Sequence, residues 1–408
     1  TVRGRLVRRF GTPVGVGGQT VYAFPEAERL ARAQVRQLRA MQFTVRKAEY
    51  IIGLARQVAS SRAGSVHWFD LENEREVARL EDPMGALEGL RGLVVLDEVH
   101  HRPDIFPTLR VLADRPRRPA RFLVLGSASP RLLRQSSESL AGRIAYHHLP
   151  GLSLAETGPR SLDRLWLRGG YPRSFLAPSE EKSNRWREEI VSAFLQHDIP
   201  ELGFGIPART LSRFWRMLAH YHGQVWNASE FARSFGVSDM TVRSYLDVLA
   251  ATFMIRTLPA WHENLGKRQV KAPKVYFRDS GLLHWLIGAR TREDLEHHPR
   301  MGASWEGFAL EETIRLTRAR PDECHFWATH NGAELDLLLV RGRKREGFEF
   351  KRSGSPGLTP SMRIALGDLR LEQLTVVHAG RESYSLSGRV RAVPLARLAA
   401  SVEHPPGS

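Results

Sequence analysis

The chain has one cysteine, Cys324, in 408 residues. That excludes an intrachain disulfide and a Cys-rich zinc site, and fits a reducing compartment. Long apolar runs are also missing. Stretches such as Leu93–Leu96 fall far short of the roughly 18 to 20 residues needed to span a bilayer, so no membrane span is expected. An Arg-rich start without a continuous apolar segment behind it does not make a signal peptide, and the protein is expected to be cytoplasmic. Internal repeats and low-complexity tracts are absent as well. No segment satisfies GxxxxGK[ST], the pattern whose glycines let backbone N–H groups wrap phosphates and whose Lys reaches their charge. Acidic residues are in short supply, with 44 Asp and Glu against 60 Lys and Arg, a net charge of +16. Such an excess favours polyanions through counterion release. Residues 1–62 alone contribute +9 of it, with 12 Lys/Arg against 3 Asp/Glu, so the rest of the chain points to nucleic acid only modestly.

What is present is the composition of an ordinary globular protein, 42% apolar and 25% charged, long enough for two to four domains. Three short apolar runs, VHWFDLEN, GLVVLDE and RFLVLGSAS, alternate with helical stretches, which predicts an α/β fold with a parallel sheet buried on both faces. Functional groups gather at the carboxyl ends of such strands, here Asp97, Glu98 and Ser127. Two adjacent acids at a strand end suit nucleotide chemistry. Asp97 is expected to hold Mg²⁺ through water and Glu98 to polarise an attacking water, with Ser127 sensing the γ-phosphate and Arg143 offsetting developing charge. A buried strand that simply ends in polar residues is the plainer alternative.

After Pro150 the chain reads as helical to about residue 222. NASEFARSF, Gly236 and SDMTVRSYLDVL then form a helix-turn-helix, followed by IRTLPAW as a candidate wing. Thr241 and Arg243 lie near the start of the second helix, where recognition helices meet DNA, with Arg243 the better contact. Docking of a protein partner is the alternative. The basic stretch Gly266 to Lys274 offers phosphate contacts or a solvated face.

VHWFDLEN, VVLDEVHHRPDIFPTLRVL, FLVLGSAS and SESLAGR, continued by LRGGYP, the helix-turn-helix, NLGKRQVKAPKVYFRDSGLL and an ELD…EFK pair, resemble in order the blocks of uncharacterised bacterial AAA-type ATPases with a C-terminal nuclease-like domain. The resemblance covers about residues 50–355. It implies an AAA-type core over 1–160 with a degenerate N-terminal part, a helical lid over 161–225, a winged helix and linker over 226–300, and a small restriction-endonuclease-like α/β domain over 301–400. It also implies ATP and Mg²⁺ as cofactors, and a homo-oligomer if Arg143 acts in trans; DNA as partner rests on the excess of positive charge and the helix-turn-helix. The family's phosphate-binding loop matches LARQVASS, where Arg56, Gln57, Ser60 and Ser61 would face nucleotide. Leu54 and Ala59 stand at its glycine positions and Ser60 at its lysine, so ATP binding and hydrolysis are in doubt. PVGVGGQT at Pro13–Thr20 is a poorer candidate, with Gln19 in place of Lys.

Nucleases of the PD-(D/E)XK type set an Asp and a Glu on neighbouring strands around Mg²⁺, with a Lys two residues after the Glu. Asp336 in AELDLLL and Glu349 and Lys351 in FEFK match that spacing, and Glu306 is the accessory acid on the preceding helix. Period-two alternation puts Glu349 and Lys351 on one face. The expectation is a divalent-metal site at Glu306, Asp336 and Glu349 with Lys351 beside it. A conventional sheet with two acids at its edge is the plainer reading.

Overall fold

The computed structural model describes residues 65–116, 120–126, 138–146, 150–263 and 269–398, with Arg9, Ser136 and two short strands near the start. Those strands, β1 (Pro13–Val16) and β2 (Gln19–Tyr22), pair antiparallel, so most of PVGVGGQT belongs to a hairpin. The chain divides into two compact units, Thr1–Pro150 and Gly151–Ser408. Among the described residues no helix is long and apolar enough to cross a membrane.

The first unit is built on a parallel sheet in the order β3 (Val66–Asp70), β4 (Gly92–Asp97), β5 (Ala120–Val124). Helices α1 (Glu74–Arg79), α2 (Pro83–Glu88) and α3 (Phe106–Ala113) alternate with the strands. Asn73 and Asp82 start the first two by accepting backbone N–H groups, as N-caps do. The unbroken apolar run of β4 is explained by two-sided burial. Val94 and Leu96 join the cluster around Phe106 and Leu109, while Leu93 and Val95 pack with Trp68 and Leu123.

After a short helical turn at Leu154–Thr157, the second unit runs through helices α4 (Leu162–Arg168), α5 (Glu180–Ala193) and α6 (Ala208–His220). Strand β6 (Gln224–Val225) leads into α7 (Ala228–Phe235) and α8 (Asp239–Ala251), joined through Gly236 at φ +66°. Ser238 caps α8 by accepting the Thr241 N–H at 3.2 Å. Strands β7 (Ile255–Leu258) and β8 (Lys274–Phe277) complete an antiparallel sheet in the order β6-β8-β7. Helices α9 (Ser280–Ile287) and α10 (Met301–Leu316) precede a six-stranded mixed sheet, ordered β13-β14-β12-β11-β10-β9. Its strands are β9 (Cys324–Ala328), β10 (Glu334–Arg341), β11 (Lys344–Lys351), β12 (Gln373–His378), β13 (Tyr384–Ser387) and β14 (Val390–Pro394), with α11 (Pro360–Asp368) between β11 and β12. One apolar core runs from Trp166 and Trp215 to Phe277, Trp305 and Phe350, and a second joins α11 to the C-terminal sheet around Trp327, Leu338, Met362 and Val376.

LRGGYP and FRDSGLL, distant in sequence, form the knot of this unit. Asp279 accepts N–H groups from Leu282 at 2.8 Å, capping α9, and from Gly170 at 2.7 Å. Buried Arg187 donates to the carbonyls of Leu167 and Gly281. A Cβ on Gly281 would collide with the backbone carbonyl of Arg168, which no rotamer change relieves. Overpacking of this kind costs about 1 to 3 kcal/mol, occasionally more. Gly281→Ala is therefore expected to lower the unfolding free energy of this unit by that amount in denaturant titration, while Gly302→Ala, which meets open space near the start of α10, leaves it unchanged or slightly raised.

Candidate functional site

At the carboxyl edge of the first unit, Asp97 ends β4 level with Asp70, its register partner on β3. Glu98 follows in the left-handed region at φ 53° and ψ 48°, a conformation that costs a non-glycine residue free energy and turns its side chain off the strand. Burial, then Asp97, Glu72 and Asp70, push the Glu98 carboxyl above its ordinary range, with His101 opposing. Its Oε2 lies 3.2 Å from His100 Nδ1. Arg143 is held in the same unit by Asp114, Nε to Oδ1 at 2.6 Å and Nη2 to Oδ2 at 2.8 Å, a bidentate pair. Ser127, Arg56, Gln57, Ser60 and Ser61 lie outside the described residues.

In the second unit, three strands and a helix bring seven polar side chains together. The β10–β11 ladder ends at Leu337↔Phe348, and β10 slips register against β9 between Leu335 and Leu338. Such an irregularity re-aims a side chain. Here the Asp336 carboxylate takes over a backbone bond, its Oδ2 accepting the Phe350 N–H at 2.9 Å. Lys351 Nζ is 2.8 Å from Glu349 Oε2 and 4.0 Å from Asp336 Oδ2, so one ammonium bridges both carboxylates. Glu306, on α10, accepts the Tyr276 hydroxyl at 2.6 Å. A second ammonium, Lys274 Nζ, contacts Glu334 and lies 3.6 Å from Glu306 Oε1 and 3.9 Å from Asp336 Oδ1.

Asp336 and Glu349 are buried, as are Lys274 and Tyr276. Burial and then Asp336 push Glu306 up to about 7 and Glu349 up to about 8, against the pull of Lys274 and Lys351 respectively. Burial works against the charge on Lys274, but Glu306, Asp336 and Glu334 outweigh it and hold the ammonium above its usual range.

Glu306, Asp336, Glu349 and Lys351, the residues expected to converge here, share this cluster; the metal expected between them does not fit it as arranged. Among the described residues no three His, Cys, Asp or Glu side chains can hold a metal ion. An ammonium stands among the carboxylates, and Glu306 Oε1 and Asp336 Oδ2 already accept other hydrogens. Lys274 itself requires a correction. Within the basic stretch it was expected on a solvated face or against phosphate, yet it is 5% exposed, because β9, β10 and α10 cover the face of β8 from which it projects. Lys274, Tyr276 and Glu334 were absent from the sequence-based site; the signal was the Lys-x-Tyr spacing of β8, matching Glu-x-Asp and Glu-x-Lys. On α8, Arg243 is exposed and Thr241 is half-buried, with its hydroxyl 2.9 Å from Ser238 Oγ.

Raised carboxyls bind protons more tightly in the folded chain than in the unfolded one. Their contribution is present at acidic pH and lost as pH rises from about 4.5 through about 7 and 8. The second unit is expected to melt at progressively lower temperature across that window, and Glu349→Gln to flatten the profile; melting curves at stepped pH check this.

Comparison with known proteins divides the chain in the same order. Residues 53–158 match the family model described as AAA domain, 159–293 a domain of unknown function (DUF8612), and 301–398 a domain of unknown function (DUF4143). Uncharacterized proteins of Mycobacterium tuberculosis (strain H37Rv) and Mycobacterium bovis are each 50% identical over 326 residues, which is 80% of this chain and 74% of theirs. No solved structure matches. The parallel sheet with its acidic edge, the domain order and this degree of identity make the chain a member of the bacterial AAA-domain protein family to which these mycobacterial proteins belong.

Proposed function

We propose that this AAA-type protein is DNA-associated and keeps the acidic half of a nucleotide site without the residues that grip phosphate, so that it binds ATP weakly or not at all. The observation that carries this is the strand edge: Asp97 level with Asp70 and Glu98 turned left-handed beside them. Oxygen-only donors of this kind suit a Mg²⁺ that keeps most of its waters and arrives with nucleotide phosphates. Asp97 would hold that hydrated ion and Glu98 would orient water, the ion supplying charge neutralisation. In its sequence the chain offers Ser60 where a lysine is needed and Leu54 and Ala59 where glycines are needed. Charge-assisted phosphate contacts contribute about 1.5 to 3 kcal/mol each, and the loss of several outweighs what the acidic edge retains. Calorimetric titration with ATP and Mg²⁺ is expected to give no micromolar binding; a micromolar affinity weakened by Asp97→Ala would overturn the proposal.

DNA association rests on α7, Gly236 and α8, followed by the antiparallel sheet, an arrangement proper to a winged helix. The exposed start of α8 carries Arg243 among Met240, Ser244 and Asp247, few groups with which to read bases. Phosphate contacts then dominate. Duplex DNA is expected to bind with little sequence preference and with an affinity that falls steeply with salt. Arg243→Ala should weaken unrelated duplexes equally and reduce the slope of log affinity against log salt by about 1. Fluorescence anisotropy across a salt series measures both; salt-insensitive affinity, or no binding at low salt, favours protein docking instead. The metal-dependent nuclease reading draws on the convergence of Glu306, Asp336, Glu349 and Lys351, and Lys274 is what stands against it.

A further inference from the structure

Lys274 enters the carboxylate cluster from a fixed support. Its strand is the middle one of three, with Lys274 in register with Leu258 on one side and Val225 on the other. The residue before it is also tied, the Pro273 carbonyl accepting the Trp226 N–H at 2.7 Å. From this backbone the buried side chain passes over the Phe326 ring, Nζ 5.5 Å from its centre, to reach Glu334, Glu306 and Asp336. Two residues on, Tyr276 uses the same strand face to hold Glu306. The positive charge is thus delivered by the frame of the fold, and not by a long side chain free to swing into solvent.

A divalent ion in this place would need oxygens at about 2.1 Å in near-octahedral array. It would have to displace an ammonium bound to three carboxylates and compete with the Tyr276 hydroxyl and the Phe350 N–H for two of the oxygens. We infer that Lys274 is the resident cation of this cluster, standing where a divalent metal would otherwise bind and holding Glu306, Glu334 and Asp336 together without one. Removing the ammonium while keeping the carboxylates then creates a metal site, because buried like charges left without a partner seek any cation.

The test uses the full chain and Mn²⁺ as probe, followed by calorimetry and by melting temperature. Subtracting the signal of Asp336→Asn isolates this cluster from the acidic edge of the first unit. Lys274→Met is expected to melt below the wild type without metal and to regain stability with millimolar Mn²⁺. It should also bind Mn²⁺ at least about tenfold more tightly than the wild type, a gain that Lys274→Met/Asp336→Asn loses. Asp336-dependent binding in the wild type as tight as in Lys274→Met would overturn the inference, as would a folded Lys274→Met that binds no Mn²⁺. Should Lys274→Met fail to fold even with Mn²⁺, the wild type decides: submillimolar binding that Asp336→Asn abolishes overturns the inference, and its absence supports it.

Discussion

Carboxylates withdrawn from water must find cations or protons, and the second unit is organised around that requirement. Asp336 and Glu349 are buried among apolar strands, where unpaired negative charge is costly. Two ammoniums and a backbone N–H answer them, a tyrosine hydroxyl answers Glu306 beside them, and these donors arrive from two strands, β8 and β11. β8, β10, β11 and α10 must therefore be in their final places before the charges balance. A hydrophobic core alone would tolerate small slips between these elements; the polar cluster does not.

Much of the architecture was legible in the chain. The β4 strand announced itself as an unbroken apolar run because it is covered on both faces, and the α7–α8 turn by Gly236 and the Ser238 cap. Glu349 and Lys351 could be assigned to one face from spacing alone. β8 was less visible. Its four residues follow a run rich in Lys, and a lysine in such a run is ordinarily solvated; nothing local says that β9, β10 and α10 will cover it. Burial of Lys274 is a property of how distant elements pack over its strand, which no window of sequence contains. The left-handed turn at Glu98 was equally hidden, since a glutamate seldom takes that conformation.

The two units treat charge differently. At the strand edge of the first, Asp70, Glu72, Asp97 and Glu98 repel one another, and Glu98 in particular is displaced from its ordinary titration range by burial and by these neighbours. His101 opposes that displacement, while Arg143 is engaged with Asp114. In the second unit the positive charge is part of the covalent chain.

Strand β8 belongs at once to the sheet beside the helix-turn-helix and to the polar cluster of the C-terminal sheet. The segment boundaries of such a chain are therefore poor places to cut or shuffle. A chimera that took its C-terminal strands from one parent and its helix-turn-helix from another would inherit the acids of one lineage and the base of the other. Wherever two parents balanced these charges differently, such a chimera would be left with buried carboxylates and ammoniums that do not match.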